Sequence, residues 1–96
     1  MSLTGIQQAQ SQNLDAGFVL NKMTSDQQVS FVAGVVEGLA FSRWQRDKPD
    51  RAGIQCIYDW YGKKDKWNKI EQWFGRHPDK QVGPLLYILI KQECGA

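Results

Sequence analysis

Thr24-Ser25-Asp26-Gln27-Gln28-Val29-Ser30-Phe31-Val32-Ala33-Gly34-Val35-Val36-Glu37-Gly38-Leu39-Ala40-Phe41-Ser42-Arg43-Trp44-Gln45-Arg46 is the stretch whose reading decides the fold. Two elements compete for it. Its valines favour a strand, and its two interior glycines each weaken a helix by about 1 kcal/mol relative to alanine. Length decides for the helix, because about twenty residues without a turn dipeptide is long for a strand and ordinary for a helix. The start signal agrees. Thr24 or Ser25 sets a side-chain acceptor at the free amides of a first turn, and Gln27 or Gln28 reaches back as in a capping box. The spacing predicts a helix over 25–46 with Phe31, Val32, Val35, Val36 and Leu39 on one stripe and Gly34, Gly38 and Phe41 on a second. Glu37 is the only charge between Asp26 and Arg43. A helix this apolar reads as the central element of a bundle. Gly34-x-x-x-Gly38 then reads as a notch that a neighbouring helix approaches closely.

On the N-terminal side, Leu14, Phe18 and Met23 predict a short helix within 13–23, and the polar residues before it, 1–12, read as a flexible lead-in or expression scar. On the C-terminal side, Asp47-Lys48-Pro49-Asp50 is a turn, since Pro49 disfavours helix at Lys48. Ile54, Ile57, Trp60 and Tyr61 mark a helix over 52–61, broken at Gly62-Lys63-Lys64-Asp65. Asp65 is placed to cap the next helix, on which Trp67, Ile70, Trp73 and Phe74 recur at intervals of three and four. His77-Pro78 punctuates its end, and Pro84 suits the first turn of a last helix holding Leu85, Leu86, Ile88, Leu89, Ile90 and Cys94. The run 85–90 also reads as a buried strand, but no second strand is there to pair with it. The fold class expected is all-α, a compact bundle of four to five helices formed as one domain over 13–96.

Composition narrows the function. With 96 residues, 42% hydrophobic and 23% charged, the chain has the make-up of one globular domain with one core. A net charge of +2 does not call for nucleic acid or an acidic membrane, and no run reaches the length of a membrane span. No catalytic set, phosphate-binding glycine loop or acidic calcium loop can be assembled, and no cofactor or metal is implied. His77, the only histidine, sits in a turn and reads as structural. Glu37 reads as an acid on the exposed strip of its helix, with a buried partner for Arg43 or a contact for another chain as the alternatives. Cys56 and Cys94 are too far apart for a redox pair, and with one histidine they cannot complete a zinc site in a monomer. On spacing alone, two free thiols and a disulfide are equally good readings, the first fitting a cytoplasmic protein and the second an oxidising compartment.

Residues 60–67, Trp60-Tyr61-Gly62-Lys63-Lys64-Asp65-Lys66-Trp67, interleave aromatics with lysines. Such a pattern binds single-stranded nucleic acid when the protein is strongly basic. At this net charge it reads instead as two helix ends with a basic loop between them, suited to the rim of a protein interface. Trp60, Tyr61, Lys63, Lys64, Lys66 and Trp67 are the candidate partner-binding residues, and the basic stretch 43–51 is a second candidate. A homodimer also stays open.

Several motifs fall in order: Phe31-Val32-Ala33-Gly34-Val35-Val36-Glu37-Gly38, then Cys56, Trp73-Phe74 before His77-Pro78-Asp79, Pro84-Leu85-Leu86, and Cys94 closing the last helix. In this order and spacing the chain resembles the Tai family, the type VI secretion amidase-immunity proteins and their uncharacterised relatives, over residues 18–94. It differs in lacking an earlier cysteine pair and in carrying Ile57-Tyr58 where proline commonly follows the middle cysteine. The resemblance implies a helical bundle, a periplasmic location after leader removal and a Cys56–Cys94 disulfide. It also implies a protein partner, a peptidoglycan-cleaving toxin effector whose active cleft the domain would occlude. A stress-related or chaperone-like periplasmic binding module is the alternative.

Overall fold

The computed structural model describes residues 14–96, so the lead-in expected over 1–12 lies outside the described residues. Five helices follow in order: α1 (Ala16–Lys22), α2 (Ser25–Asp47), α3 (Ala52–Tyr61), α4 (Lys66–Arg76) and α5 (Val82–Cys94). No strand forms among the described residues, and the 85–90 run is helical throughout. α2 lies along α3, α1 lies on α4, and α5 packs against α2, α3 and α4.

The caps follow the local chemistry. Thr24 Oγ1 accepts from the Gln27 amide at 3.2 Å, and Gln27 Oε1 accepts from the Thr24 amide at 2.9 Å, closing the capping box. Gln28 takes a different part from the one its sequence position suggested. Its side-chain amide donates to the carbonyls of Val19 (3.0 Å) and Met23 (3.3 Å), satisfying the open end of α1. Asp65 stands at the N-cap of α4 but makes no side-chain capping bond, a correction to its expected role. α1 is short, and its first turn is completed from outside. The amides of Ala16 and Gly17 donate to the carbonyls of Lys80 (2.9 Å) and Pro78 (2.8 Å) in the α4–α5 connection. A Cβ on Gly17 would stand 3.0 Å from the Pro78 carbonyl oxygen, so glycine permits this approach.

The core is one cluster drawn from all five helices, with Phe74, Ile57, Ile70 and Leu86 among its largest fully buried side chains. Two expectations are corrected here. First, the central element is α5, not α2. α5 buries Val82, Leu85, Leu86, Leu89 and Ile90, whereas the much longer α2 buries only Val32, Val36 and Ala40. The apolar positions of α2 surround its axis, so no placement covers all of them, and Val29 and Phe41 stay exposed at 47% and 56%. Second, Gly34 and Gly38 are not a notch. Both face solvent, and a Cβ on either would meet nothing within 4 Å. Besides Gly17, the glycine that admits a neighbour is Gly53 on α3, which is buried against the side chain of Arg43.

Cys56 and Cys94 are joined, with Cα atoms 5.8 Å apart, and no described cysteine is free. The bond ties the middle of α3 to the last residue of α5. Arg43 fastens the same end of α5 from the other side. Its guanidinium donates to the Gly95 carbonyl (3.1 Å) and the Cys94 carbonyl (3.5 Å), while Nε donates to Asp47 Oδ2 (2.7 Å). An arginine on the unpaired carbonyls of a helix C-terminus satisfies acceptors and complements the negative end of the helix dipole. Gly95 ends the helix at φ 78°, a left-handed conformation that glycine adopts without strain.

Candidate functional site

The corner between α3 and α4 holds the candidate residues 60–67. Its shape comes from the break at Gly62, whose amide donates to the Tyr58 carbonyl at 3.0 Å, followed by the Lys63 amide donating to the Trp60 carbonyl at 3.1 Å. This turn sorts the loop into two faces. Trp60 points inward and is only 2% exposed, so it is a core residue and offers no ring to a partner. Its indole nitrogen is buried and, among the described residues, meets no acceptor. Trp67 is half-buried against the core, and Tyr61 is half-buried with its ring centroid 6.1 Å from that of Trp60. Burial holds the Tyr61 phenol above its ordinary pKa.

The outer face is cationic. Lys63 and Lys64 are exposed, and neither forms an ion pair among the described residues. The Lys66 ammonium instead stands 4.4 Å from the centre of the Tyr61 ring, a cation–π contact that holds both side chains against the helix end. Of the three lysines only Lys66 stacks on an aromatic ring; Lys63 lines a neighbouring groove with Asp59 and Glu93, and Asp65 is exposed between Lys64 and Lys66. The aromatics that the sequence placed on the rim mostly form its base.

The second basic stretch, 43–51, is largely engaged with itself. Asp47 accepts from Arg46 Nε (2.8 Å) and Arg43 Nε (2.7 Å), and hydrogen bonds first from Arg46 and then from Arg43 hold its carboxyl below the usual range. Lys48 donates to Gln45 (2.9 Å), and Arg51 lies 5.6 Å from the Trp44 ring centre. His77 sits with its ring edge-on to Trp73 at 4.6 Å between centroids. Among the described residues, no three histidine, cysteine or acidic side chains gather as a metal site. No described helix is long and apolar enough to cross a membrane.

Sequence reasoning missed two features. Glu37 accepts a hydrogen bond from the Tyr58 hydroxyl at 2.7 Å, a surface link between α2 and α3 rather than a pairing with Arg43. That bond, which stabilises the protonated phenol, holds the Tyr58 pKa above its ordinary value. The second is a set of exposed large apolar side chains, with Phe41 at 56% and Tyr87 at 50% the most open. Neither had a local signal, because both depend on which face of each helix its neighbours cover.

In comparison with known proteins, no protein-family model, curated protein or solved structure matches the chain.

Proposed function

We propose that this domain is a periplasmic protein-binding module of the amidase-immunity kind, which occludes the active cleft of a peptidoglycan-cleaving effector. The observation that carries the reading is the corner at 62–66. Two unpaired, exposed lysines, Lys63 and Lys64, project from a turn whose base is locked by Trp60, Trp67 and the Lys66–Tyr61 stack. A cationic rim backed by buried aromatics suits an acidic cleft mouth, because opposite charge speeds encounter and the backing residues are already ordered. The Cys56–Cys94 bond supports the compartment, since such bonds persist where the environment is oxidising.

The test is capture from native periplasm followed by inhibition. The tagged domain is expected to retain a peptidoglycan-cleaving enzyme and to inhibit it. Lys63→Glu/Lys64→Glu is expected to slow association and to flatten its dependence on salt, while leaving stability within about 0.5 kcal/mol. Retention of no such enzyme, or inhibition that ignores the charge reversal, would overturn the proposal.

Exposed Phe41, Tyr58, Tyr87 and Ile88 favour a second reading, a stress-related module that holds apolar segments of other proteins. Binding of that kind strengthens with salt rather than weakening, so the same salt series separates the two.

A further inference from the structure

Away from the lysine corner, α2, α3 and the end of α5 enclose a half-open cleft of about 90 Å³. Its floor is apolar, made by Leu39, Ile57 and Ile90, and its mouth carries Arg46, Tyr87 and Lys91. The lining holds three cationic side chains, Arg43 among them, and no acidic one. Arg43 is committed to the α5 terminus and Asp47, as described above. Arg46 uses Nε and one terminal nitrogen on Asp47 (2.8 and 3.4 Å), which leaves its other terminal nitrogen outside that pairing. Lys91 forms no ion pair among the described residues. The cleft thus joins an apolar bottom to a mouth with open cationic donors and the Tyr87 hydroxyl.

We infer that this cleft binds a short aliphatic monocarboxylate, with the tail on Leu39, Ile57 and Ile90 and the carboxylate between Arg46 and Lys91. The volume sets the size. At about 30 Å³ for each water-sized group, 90 Å³ holds three such groups, so the three-carbon tail of butanoate fills it and the tail of pentanoate fills it with one carbon reaching into the mouth. The charge sets the sign. A cation would meet Lys91 and the side of Arg46 that Asp47 leaves open, and a neutral alcohol would leave those two donors without a charged acceptor. A free carboxylate alone would reach the mouth but leave the apolar floor unfilled.

The test is a chemical-shift titration of the amides with sodium pentanoate at fixed ionic strength, alongside acetate and pentylammonium. Pentanoate is expected to give saturable shifts confined to residues 39–46, 57 and 87–96. Acetate is expected to bind about tenfold more weakly or less, for want of a buried tail, and pentylammonium to give no saturable shift. Arg46→Gln/Lys91→Gln, both at exposed positions, is expected to weaken pentanoate about tenfold or more while lowering the melting temperature by no more than about 5 °C, the effect of losing one exposed ion pair to Asp47. No saturable response to pentanoate, an equal response to pentylammonium, or unchanged affinity in the double variant would overturn the inference. Because no protein partner enters the experiment, it stands or falls apart from the proposed immunity role.

Discussion

Gly34 and Gly38 occupy the middle of the 23-residue α2, face solvent and have no atom within 4 Å of where a Cβ would lie. Replacing either with alanine therefore adds a methyl group to open space and removes only a conformational penalty. Glycine in a helix interior costs about 1 kcal/mol relative to alanine, chiefly through the greater freedom of the unfolded chain. The two positions share no partner, so Gly34→Ala/Gly38→Ala is expected to stabilise by about 2 kcal/mol. For a domain of this size 1 kcal/mol moves the melting temperature by about 4–8 °C, so the double variant should melt about 8–16 °C higher. Thermal melts followed by circular dichroism, with urea denaturation to check that the slope is unchanged, would measure this. Gly53→Ala is the internal control. Its Cβ would collide with Arg43, standing 2.8 Å from Cζ and 2.9 Å from Cγ of a side chain already tied to Asp47 and to the end of α5. That change is expected to destabilise by about 1–3 kcal/mol. Gly38→Ala lowering the melting temperature, or Gly53→Ala raising it, would refute the assignment of which glycine is open and which is packed.

Protein purified from an oxidising compartment is expected to show no reactive thiol when denatured without reductant. Reduction of Cys56–Cys94, which are 38 positions apart, is expected to destabilise the fold by about 4 kcal/mol in the chain-entropy model, read from urea melts with and without reductant. Tyr58 is expected to titrate above the ordinary 10.0 in an ultraviolet pH titration, and Glu37→Gln to bring it back towards that value. Its folded pKa is the raised one, so the stabilisation from this bond is complete below the unfolded pKa and fades as pH rises through the folded value. Asp47 has the opposite sign. Its lowered folded pKa means that the Arg43–Asp47–Arg46 link stabilises above the ordinary carboxylate range and is lost as pH falls through the depressed value. An acid melt of Arg43→Gln set against the native chain would detect the loss.

Much of the candidate surface could be read from residue type alone. Lys63 and Lys64 follow the helix-breaking Gly62 and had to be solvated, because an ammonium group is not buried without a partner. The division of the neighbouring aromatics was less legible. Trp60, Tyr61 and Trp67 all suit either a core or an interface; Trp60 goes fully inward because it follows buried Ile57 by three residues on the covered side of α3, while Tyr61, one position on, stays at the edge under Lys66. The cleft lined by Leu39, Ile57, Ile90 and Lys91 had no sequence signal, since it exists only where three helices meet.

Helices, by contrast, announce themselves through contacts three and four residues apart, which the chain carries wherever it goes. The periodicity of Trp67, Ile70 and Phe74, the Thr24–Gln27 capping box and the stop at Gly95 all belong to that range, and the structure follows them closely. Only the tertiary structure decided which of its two apolar stripes α2 buries. Its spacing marks both, and the structure packs Phe31, Val32, Val35, Val36 and Leu39 on the core while the stripe of Gly34, Gly38 and Phe41 stays open. Bonds that join distant parts of the chain tie it in that placement. Arg43 reaches 52 positions to the Gly95 carbonyl, and Tyr58 reaches back 21 to Glu37. That packing leaves Phe41 in solvent and puts α5, with its bulky Leu85, Leu86, Leu89 and Ile90, at the centre. Local spacing specifies an element, but burial is a property of the whole assembly: one side chain leaves water only when another arrives to cover it.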